Sequence, residues 1–299
     1  MDKGTRWSSQ LAFYILAIGS AFGLGNLWRF PFVVGSNGGG AFILLYLFLL
    51  FVIGLPLIIA ELMMGKAERG SVIHVTRRLS RQAGPWVRWV GWGAFALSVV
   101  VFGYYSIISG WVLFYISQFL RQIVEPSGIL EPAALFENVW LQISLVSVHL
   151  LFLGFVVSKG IKEGIEKLAV FVMPVFILML GMILYRTLSL PSVSGALRFL
   201  FYPDFRELGW TSLAHAIGHV FFTLGVGFGV LVTFSSYLRE EEYVPGLGLR
   251  VAVMDAVASL SAVLIIFPVV FLAADTSISH PALMFEVLPR FILGLPYGN

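Results

Sequence analysis

The chain has 299 residues, 59% hydrophobic and only 12% charged, with a mean hydropathy of +0.92. A soluble domain carries about twice that share of charge, so the composition is that of a polytopic membrane protein. Cysteine is absent, which excludes disulfides and thiolate metal centres, and the net charge of +3 sits in short basic loops, a pattern of membrane topology and not of nucleic-acid binding.

The opening, Met-Asp-Lys-Gly-Thr-Arg-Trp, runs into an apolar segment too long and too glycine-rich for a cleaved signal peptide, so it is expected to be retained. Segments near 11–34, 41–64, 89–120, 139–157, 166–187, 211–236 and 250–274 are long enough to cross a hydrocarbon core, which needs about 20 helical residues. Together they predict an all-α polytopic membrane protein, with 1–299 forming a single transmembrane domain.

The first span is the least ordinary. Gly19-Ser20-Ala21-Phe22-Gly23-Leu24-Gly25-Asn26-Leu27-Trp28-Arg29-Phe30-Pro31 places three glycines, an Asn and an Arg where a membrane helix usually carries Leu and Val. Gly23 and Gly25 lower the cost of leaving helical geometry, although both also suit small-residue packing. Backbone groups freed by a break at membrane depth are tolerated where they line a site for an ion or polar solute. A break here therefore predicts a transporter core with a binding site at the interruption.

The loop from Gly65 to Arg88 holds Lys66, Arg69, Arg77, Arg78, Arg81 and Arg88 against one acid, Glu68, which assigns it to the cytoplasmic side. Lys3 and Arg6 put the N-terminus there too, as do Lys159, Lys162 and Lys167 for the next even loop; with seven crossings the C-terminus lies outside. The loop 188–210, with Arg198 and Arg206 beside Asp204 and Glu207, fits the charge rule least well. Glu125-Pro126-Ser127-Gly128 is a turn, and the tail 277–299, interrupted by Pro281, Pro289 and Pro296, is expected to form an extracellular surface hairpin.

The sixth span echoes the first. Ile217-Gly218-His219 leads through Phe221-Phe222-Thr223-Leu224 to Gly225, Gly227 and Gly229, a second glycine-rich interruption near mid-membrane, five helices on. That spacing is the signature of a five-helix inverted repeat whose broken helices face each other across the site. Asp255 is the lone acid of the seventh span, a functional candidate by default, its plain alternative being an interfacial acid. Tyr105 lies in the middle of a charge-free span, too deep for an aromatic belt, so its hydroxyl needs a partner. Thr223 either bonds its own backbone or faces the break. His215 and His219 are four apart but lack a third ligand, and are read as structural. No intramembrane-protease or Walker-type signature appears, so the chain is not expected to be an enzyme.

These residues resemble the neurotransmitter:sodium symporter family, which includes the bacterial leucine transporter. The match is carried by Gly23-Leu24-Gly25-Asn26-Leu27-Trp28-Arg29-Phe30-Pro31, by Asn37-Gly38-Gly39-Gly40-Ala41-Phe42 with Gly54-Leu55-Pro56-Leu57 and Glu61, by Gly103-Tyr104-Tyr105 with Trp111, and by Phe221-Phe222-Thr223-Leu224 with the glycines after it. It runs in order from about residue 7 to the last residue. The resemblance implies the first seven helices of a five-plus-five inverted-repeat transporter fold, with helices 1 and 6 broken. Family members continue through roughly five more helices, one of which supplies further ligands to a sodium site and another the acid facing the gate arginine.

By resemblance, the Ala21 carbonyl and the side chains of Asn26 and Thr223 belong to a first sodium site, and the carbonyls of Gly19 and Phe22 to a second. Asp255 falls where the family has an Asn sodium ligand, with Ser259 one turn on, where chloride-dependent members have a serine; a carboxylate there implies transport without chloride. Ser20, Ala21, Gly23, Leu24, Gly25, Val101, Tyr105, Phe222, Thr223, Gly225 and Phe228 are expected around the substrate, with N–H groups near Leu24 and Gly25 meeting its carboxylate. Phe222 and Phe228 also suit plain core packing. Arg29 is the implied outer gate base, together with Phe222, or else an interfacial snorkelling residue. Glu61 is expected to hold N–H groups of the helix 6 break, unless it pairs with Lys66.

The expected function is sodium-coupled symport of an amino acid, because Gly23 stands where monoamine carriers place an Asp; the space beside Gly225 leans toward an apolar side chain. The expected location is the plasma (inner) membrane, multi-pass, with the N-terminus cytoplasmic. The expected partners are sodium, a small-molecule amino acid, the lipid bilayer and a second chain or further sequence supplying the missing wall, with no nucleic acid. The alternative is a truncated amino-acid-binding membrane protein or partner subunit that does not transport.

Overall fold

A computed structural model describes residues 7–21, 23, 25–124, 135 and 137–272. The expected tail hairpin at 277–299 lies outside these residues, as do Phe22 and Leu24. Among the described residues the regular structure is helical throughout. Helical runs long and apolar enough to cross a membrane, some of them including a π-turn, are Gly40–Glu68, Val87–Arg121, Val139–Ser158, Ile161–Leu188 and Val244–Leu272. The spans expected at 11–34 and 211–236 are the two broken ones.

The first span begins as α1 (Gln10–Ala21), bends at Gly23, passes through a π-helical turn (Gly25–Arg29) and resumes as α2 (Phe30–Ser36). Asn26 N–H donates to the Gly23 carbonyl at 3.1 Å, which carries the chain through the interruption. Pro31 sits in the first turn of α2, where its missing N–H costs no helical bond. The second span is α3 (Gly40–Leu49), a π-turn (Leu50–Gly54) and α4 (Leu55–Glu68).

The segment between Gly65 and Arg88, read as a loop, contains a helix, α5 (Val72–Ala83), capped by Ser71. Counting its charges hid a helical period: Val72, Val75, Thr76 and Leu79 fall on one face, and Val75 and Thr76 are buried. The long α6 (Val87–Val124) and α7 (Val139–Ser158) follow. A π-turn (Ile161–Glu166) then leads into α8 (Lys167–Leu188). The loop at 188–210 likewise holds a short helix, α9 (Val193–Phe201).

The sixth span is α10 (Trp210–Leu224) and α11 (Val230–Ser235). Between them Gly225 and Gly227 have φ of +65° and +87°, a region that side chains with a Cβ rarely enter. Val226 N–H donates to the Phe221 carbonyl at 3.1 Å, closing α10. The seventh span is α12 (Val244–Leu272), buried along most of its length, whereas α7 and α8 have almost no buried residues.

The main core lies where α1, α2, α3, α4, α10, α11 and α12 converge, around Phe13, Phe30, Phe42, Tyr46, Leu62, Val220, Leu247 and Phe267. At one end of this bundle Trp7 Nε1 donates to the Phe234 carbonyl at 3.1 Å, Ser8 N–H donates to Glu166 at 3.1 Å and Arg239 Nη2 donates to the Ser8 carbonyl at 2.8 Å. These contacts fasten the start of α1 to the end of α11 and to the π-turn before α8.

Candidate functional site

The two interruptions meet at a buried polar cluster. Asn26, immediately after the first break, donates through Nδ2 to Asp255 Oδ1 at 3.0 Å and to Ser259 Oγ at 3.2 Å. Thr223, on the last turn of α10, places Oγ1 2.5 Å from Asn26 Oδ1 and 2.7 Å from Asp255 Oδ1. Tyr46 of α3 donates to Asp255 Oδ2 at 2.7 Å, with Ser259 Oγ 3.2 Å away. Asn26, Tyr46, Asp255 and Ser259 are fully buried.

The chemistry of this cluster is specific. The Thr223 hydroxyl has one proton, yet faces two acceptor oxygens at hydrogen-bonding distance. With Asp255 ionised, one of those close oxygen pairs lacks a proton between its members. Oxygens from Asn26, Thr223 and Asp255, crowded in this way around a buried carboxylate, form a donor set suited to a hard monovalent cation.

Beside the cluster lies a cavity of about 490 Å³, lined by Gly23, Ser98, Val101, Phe102, Tyr105, Phe222, Leu224, Gly225, Phe228, Val230 and Leu231. A second cavity of about 230 Å³ is lined by Gly25, Trp28, Arg29, Phe32, Tyr104, Tyr105 and Phe222. Tyr105 and Phe222 belong to both, with ring centroids 6.0 Å apart, so this aromatic pair stands between the two chambers. The guanidinium of Arg29 lies 5.8 Å from the Phe222 ring centre on the smaller chamber's side. The Tyr105 hydroxyl faces the first break, 3.6 Å from where a Cβ on Gly23 would stand.

Of the residues singled out in the sequence, Gly23, Val101, Tyr105, Phe222, Gly225 and Phe228 line the larger cavity, and Asn26, Thr223 and Asp255 form the cluster. Gly25 and Arg29 lie on the smaller chamber. Gly19 is in α1, where a Cβ would stand 3.1 Å from Met173 Sδ of α8. Ser20 and Ala21 close α1, and their side chains lie outside the described structure, as do Phe22 and Leu24 entirely. Glu61 Oε1 accepts from the Gly227 N–H at 2.7 Å, inside the second break. Lys66 points elsewhere, donating to the carbonyls of Glu240 and Glu242 at 2.7 Å each.

Tyr46 went unremarked in the sequence although its signal was there. A hydroxyl in the middle of Leu-Leu-Tyr-Leu-Phe must find a partner, as was argued for Tyr105. Ser98 was also missed; its Oγ lies 2.7 Å from the Phe228 carbonyl, bonding α6 to the second break. His219 is buried against Phe30, with ring centroids 4.7 Å apart, and among the described residues no three or more His, Cys, Asp or Glu side chains gather as ligands for a metal ion.

Fold and site together define a multi-pass membrane protein organised around two interrupted helices. The chain belongs to the sodium:neurotransmitter symporter family, whose model matches residues 4–126 and 127–296. It is 32% identical over 302 residues to the uncharacterized sodium-dependent transporter YhdH of Bacillus subtilis, covering 100% of this chain and 66% of that protein. It is 30% identical to the sodium-dependent neutral amino acid transporter B(0)AT2 of Bos taurus, covering 92% of this chain and 42% of that one. The crystal structure of MhsT in complex with L-phenylalanine superposes with a TM-score of 0.88 at 32% identity, covering 98% of this chain and 67% of that chain. The chain thus spans about two thirds or less of the curated relatives it matches.

Proposed function

We propose that this chain carries the substrate and first sodium site of a sodium-coupled amino-acid symporter. The observation that carries the reading is the cluster in which Asn26 of one broken span meets Thr223 of the other against Asp255, next to a cavity of about 490 Å³. That volume falls in the range of small-molecule pockets, roughly 300–1,000 Å³.

Sodium is held by Asn26, Thr223 and Asp255 with the Ala21 carbonyl, and the amino acid lies in the larger cavity. Its carboxylate meets the Tyr105 hydroxyl and the backbone N–H groups of the break near Leu24 and Gly25. Gly23 leaves room for that carboxylate, while Val101, Phe222, Gly225 and Phe228 surround an apolar side chain. Phe222 and Arg29 close the outer side. The carbonyls of Gly19 and Phe22 contribute to a second sodium site, completed by sequence beyond these helices or by another chain. Glu61 steadies the helix 6 break through Gly227.

Coupling follows from shared parts. Sodium fixes Asn26 and Thr223 relative to α12, and those residues directly follow Gly25 and Phe222 on the cavity walls. Each ligand then finds part of the other's site already assembled, and the two bind cooperatively. Asp255 supplies its own negative charge, so chloride is not required. The basic segment holding α5 sets the N-terminus on the cytoplasmic side of the inner membrane.

The test is binding of a radiolabelled apolar amino acid to the purified chain with sodium or with potassium. Sodium-dependent retention supports the reading. Equal retention in both salts, or none of any amino acid, counts against it.

A further inference from the structure

We propose that α5 and the turn after it form a docking site for the headgroups of anionic phospholipids. α5 is fixed by packing and does not hang free. Its buried side presses Thr76 and Val72 onto Gly91 of α6, where an added Cβ would collide with the Thr76 hydroxyl and stand 3.1 Å from the Val72 carbonyl. The opposite face carries His74, Arg77, Arg78 and Arg81, all exposed. Arg78 is tied to Glu68 at 2.9 Å, whereas among the described residues Arg77 and Arg81 have no carboxylate partner.

The next segment carries exposed indoles. Trp86, Trp89 and Trp92 recur every third residue and are 64%, 67% and 52% exposed. The guanidinium of Arg88 lies 5.8 Å from the Trp89 ring centre. Tryptophans exposed in this way mark the headgroup level of a bilayer, and α5 joins two membrane-crossing helices, α4 and α6, so it lies at that same level. Orienting the chain in a membrane requires basic residues on one side, but not a packed amphipathic helix that turns every cation to one face. Arginine forks match phosphate oxygens in pairs, and indole rings stack at the glycerol level, which is the chemistry of an anionic phospholipid. α5 also abuts the second broken span: a Cβ on Gly229, just ahead of α11, would stand 2.6 Å from Val72 Cβ.

The test places the purified chain in nanodiscs of phosphatidylcholine, alone or with phosphatidylglycerol, and counts retained lipids by native mass spectrometry after transfer to detergent. The wild type is expected to keep phosphatidylglycerol in preference to phosphatidylcholine. Arg77→Gln with Arg81→Gln is expected to lower that preference about 30-fold, roughly fivefold per arginine, the equivalent of about 1 kcal/mol for each basic side chain at a membrane surface. The wild-type preference should also weaken as salt screens the exposed charges. Equal retention of both lipids by the wild type overturns the proposal. So does a preference indifferent to salt, or one undiminished in a double variant that keeps its helical circular dichroism.

Discussion

Asn26 and Asp255, 229 positions apart in the chain, are joined at full burial by a hydrogen bond of 3.0 Å. The bond ties the resumed half of the first span to the middle of α12, and Thr223 brings the end of α10 to the same carboxylate. A movement of one broken span against the other must rearrange this cluster. A cation that holds the cluster together therefore biases the whole core.

Replacing Asp255 by Asn keeps the shape and removes the charge. Sodium affinity, read from the sodium dependence of amino-acid binding, is expected to fall about tenfold or more, the loss of roughly 1.4 kcal/mol that a charge-assisted contact contributes. Chloride is expected to restore part of that affinity in the variant and to change nothing in the wild type. Titrations in chloride and in gluconate salts check both statements, and strong chloride dependence of the wild type would contradict them.

The two glycines of the first break should differ. A Cβ on Gly25 would stand 3.2 Å from Phe222 Cδ1, so Gly25→Ala is expected to push Phe222 away from Tyr105 and weaken amino-acid binding of every size. On Gly23 a Cβ would meet the Tyr105 hydroxyl at 3.6 Å, an ordinary contact. Gly23→Ala should therefore fold normally and lose affinity by its intrusion on the carboxylate space, with sodium binding retained. Competition binding with a series of apolar amino acids separates the two effects.

Glu61→Gln turns the charge-assisted bond to Gly227 into a neutral one, which is expected to lower stability by roughly 1 kcal/mol. Glu61→Ala removes the acceptor altogether and should cost more, about 1–3 kcal/mol. Thermal unfolding in detergent ranks the wild type above Glu61→Gln and that above Glu61→Ala. An alanine variant as stable as the wild type would mean that the second break stands without this support.

Tyr46 and Tyr105 carry the same chemistry to different places. Tyr46→Phe removes a donor to Asp255 and is expected to destabilise the fold by about 1–2 kcal/mol and alter sodium affinity, without changing which amino acids bind. Tyr105→Phe leaves the cluster intact and is expected to lower amino-acid affinity about tenfold, with sodium affinity in the absence of substrate unchanged. Parallel sodium and amino-acid titrations of the two variants check the division.

The interruptions were legible because glycines so dense within an apolar span have few other uses. At Gly225 and Gly227 the positive φ values give the reason. The grouping of Asn26, Thr223 and Asp255 came from a family resemblance and not from spacing, since nothing local in a sequence reports that residues 26, 223 and 255 share a hydrogen-bonded cluster. The π-turns at Leu50–Gly54 and Ile161–Glu166 left no such trace. Their apolar or mixed residues suit an ordinary helix, and the turn is decided by what packs around it. α5 was readable in principle, but counting its arginines as loop charges concealed the period of Val72, Val75, Thr76 and Leu79.

The central claim is that a cation at Asn26, Thr223 and Asp255 and an amino acid in the adjoining cavity bind as a coupled pair. It is tested most directly by measuring amino-acid affinity across a range of sodium concentrations and, reciprocally, sodium affinity across a range of amino-acid concentrations. The expected result is that each ligand tightens the other, by a factor that linkage makes the same in both directions, and that Asp255→Asn moves this coupling to about tenfold higher sodium. An amino-acid affinity that stays constant from sodium-free buffer to saturating sodium would contradict it.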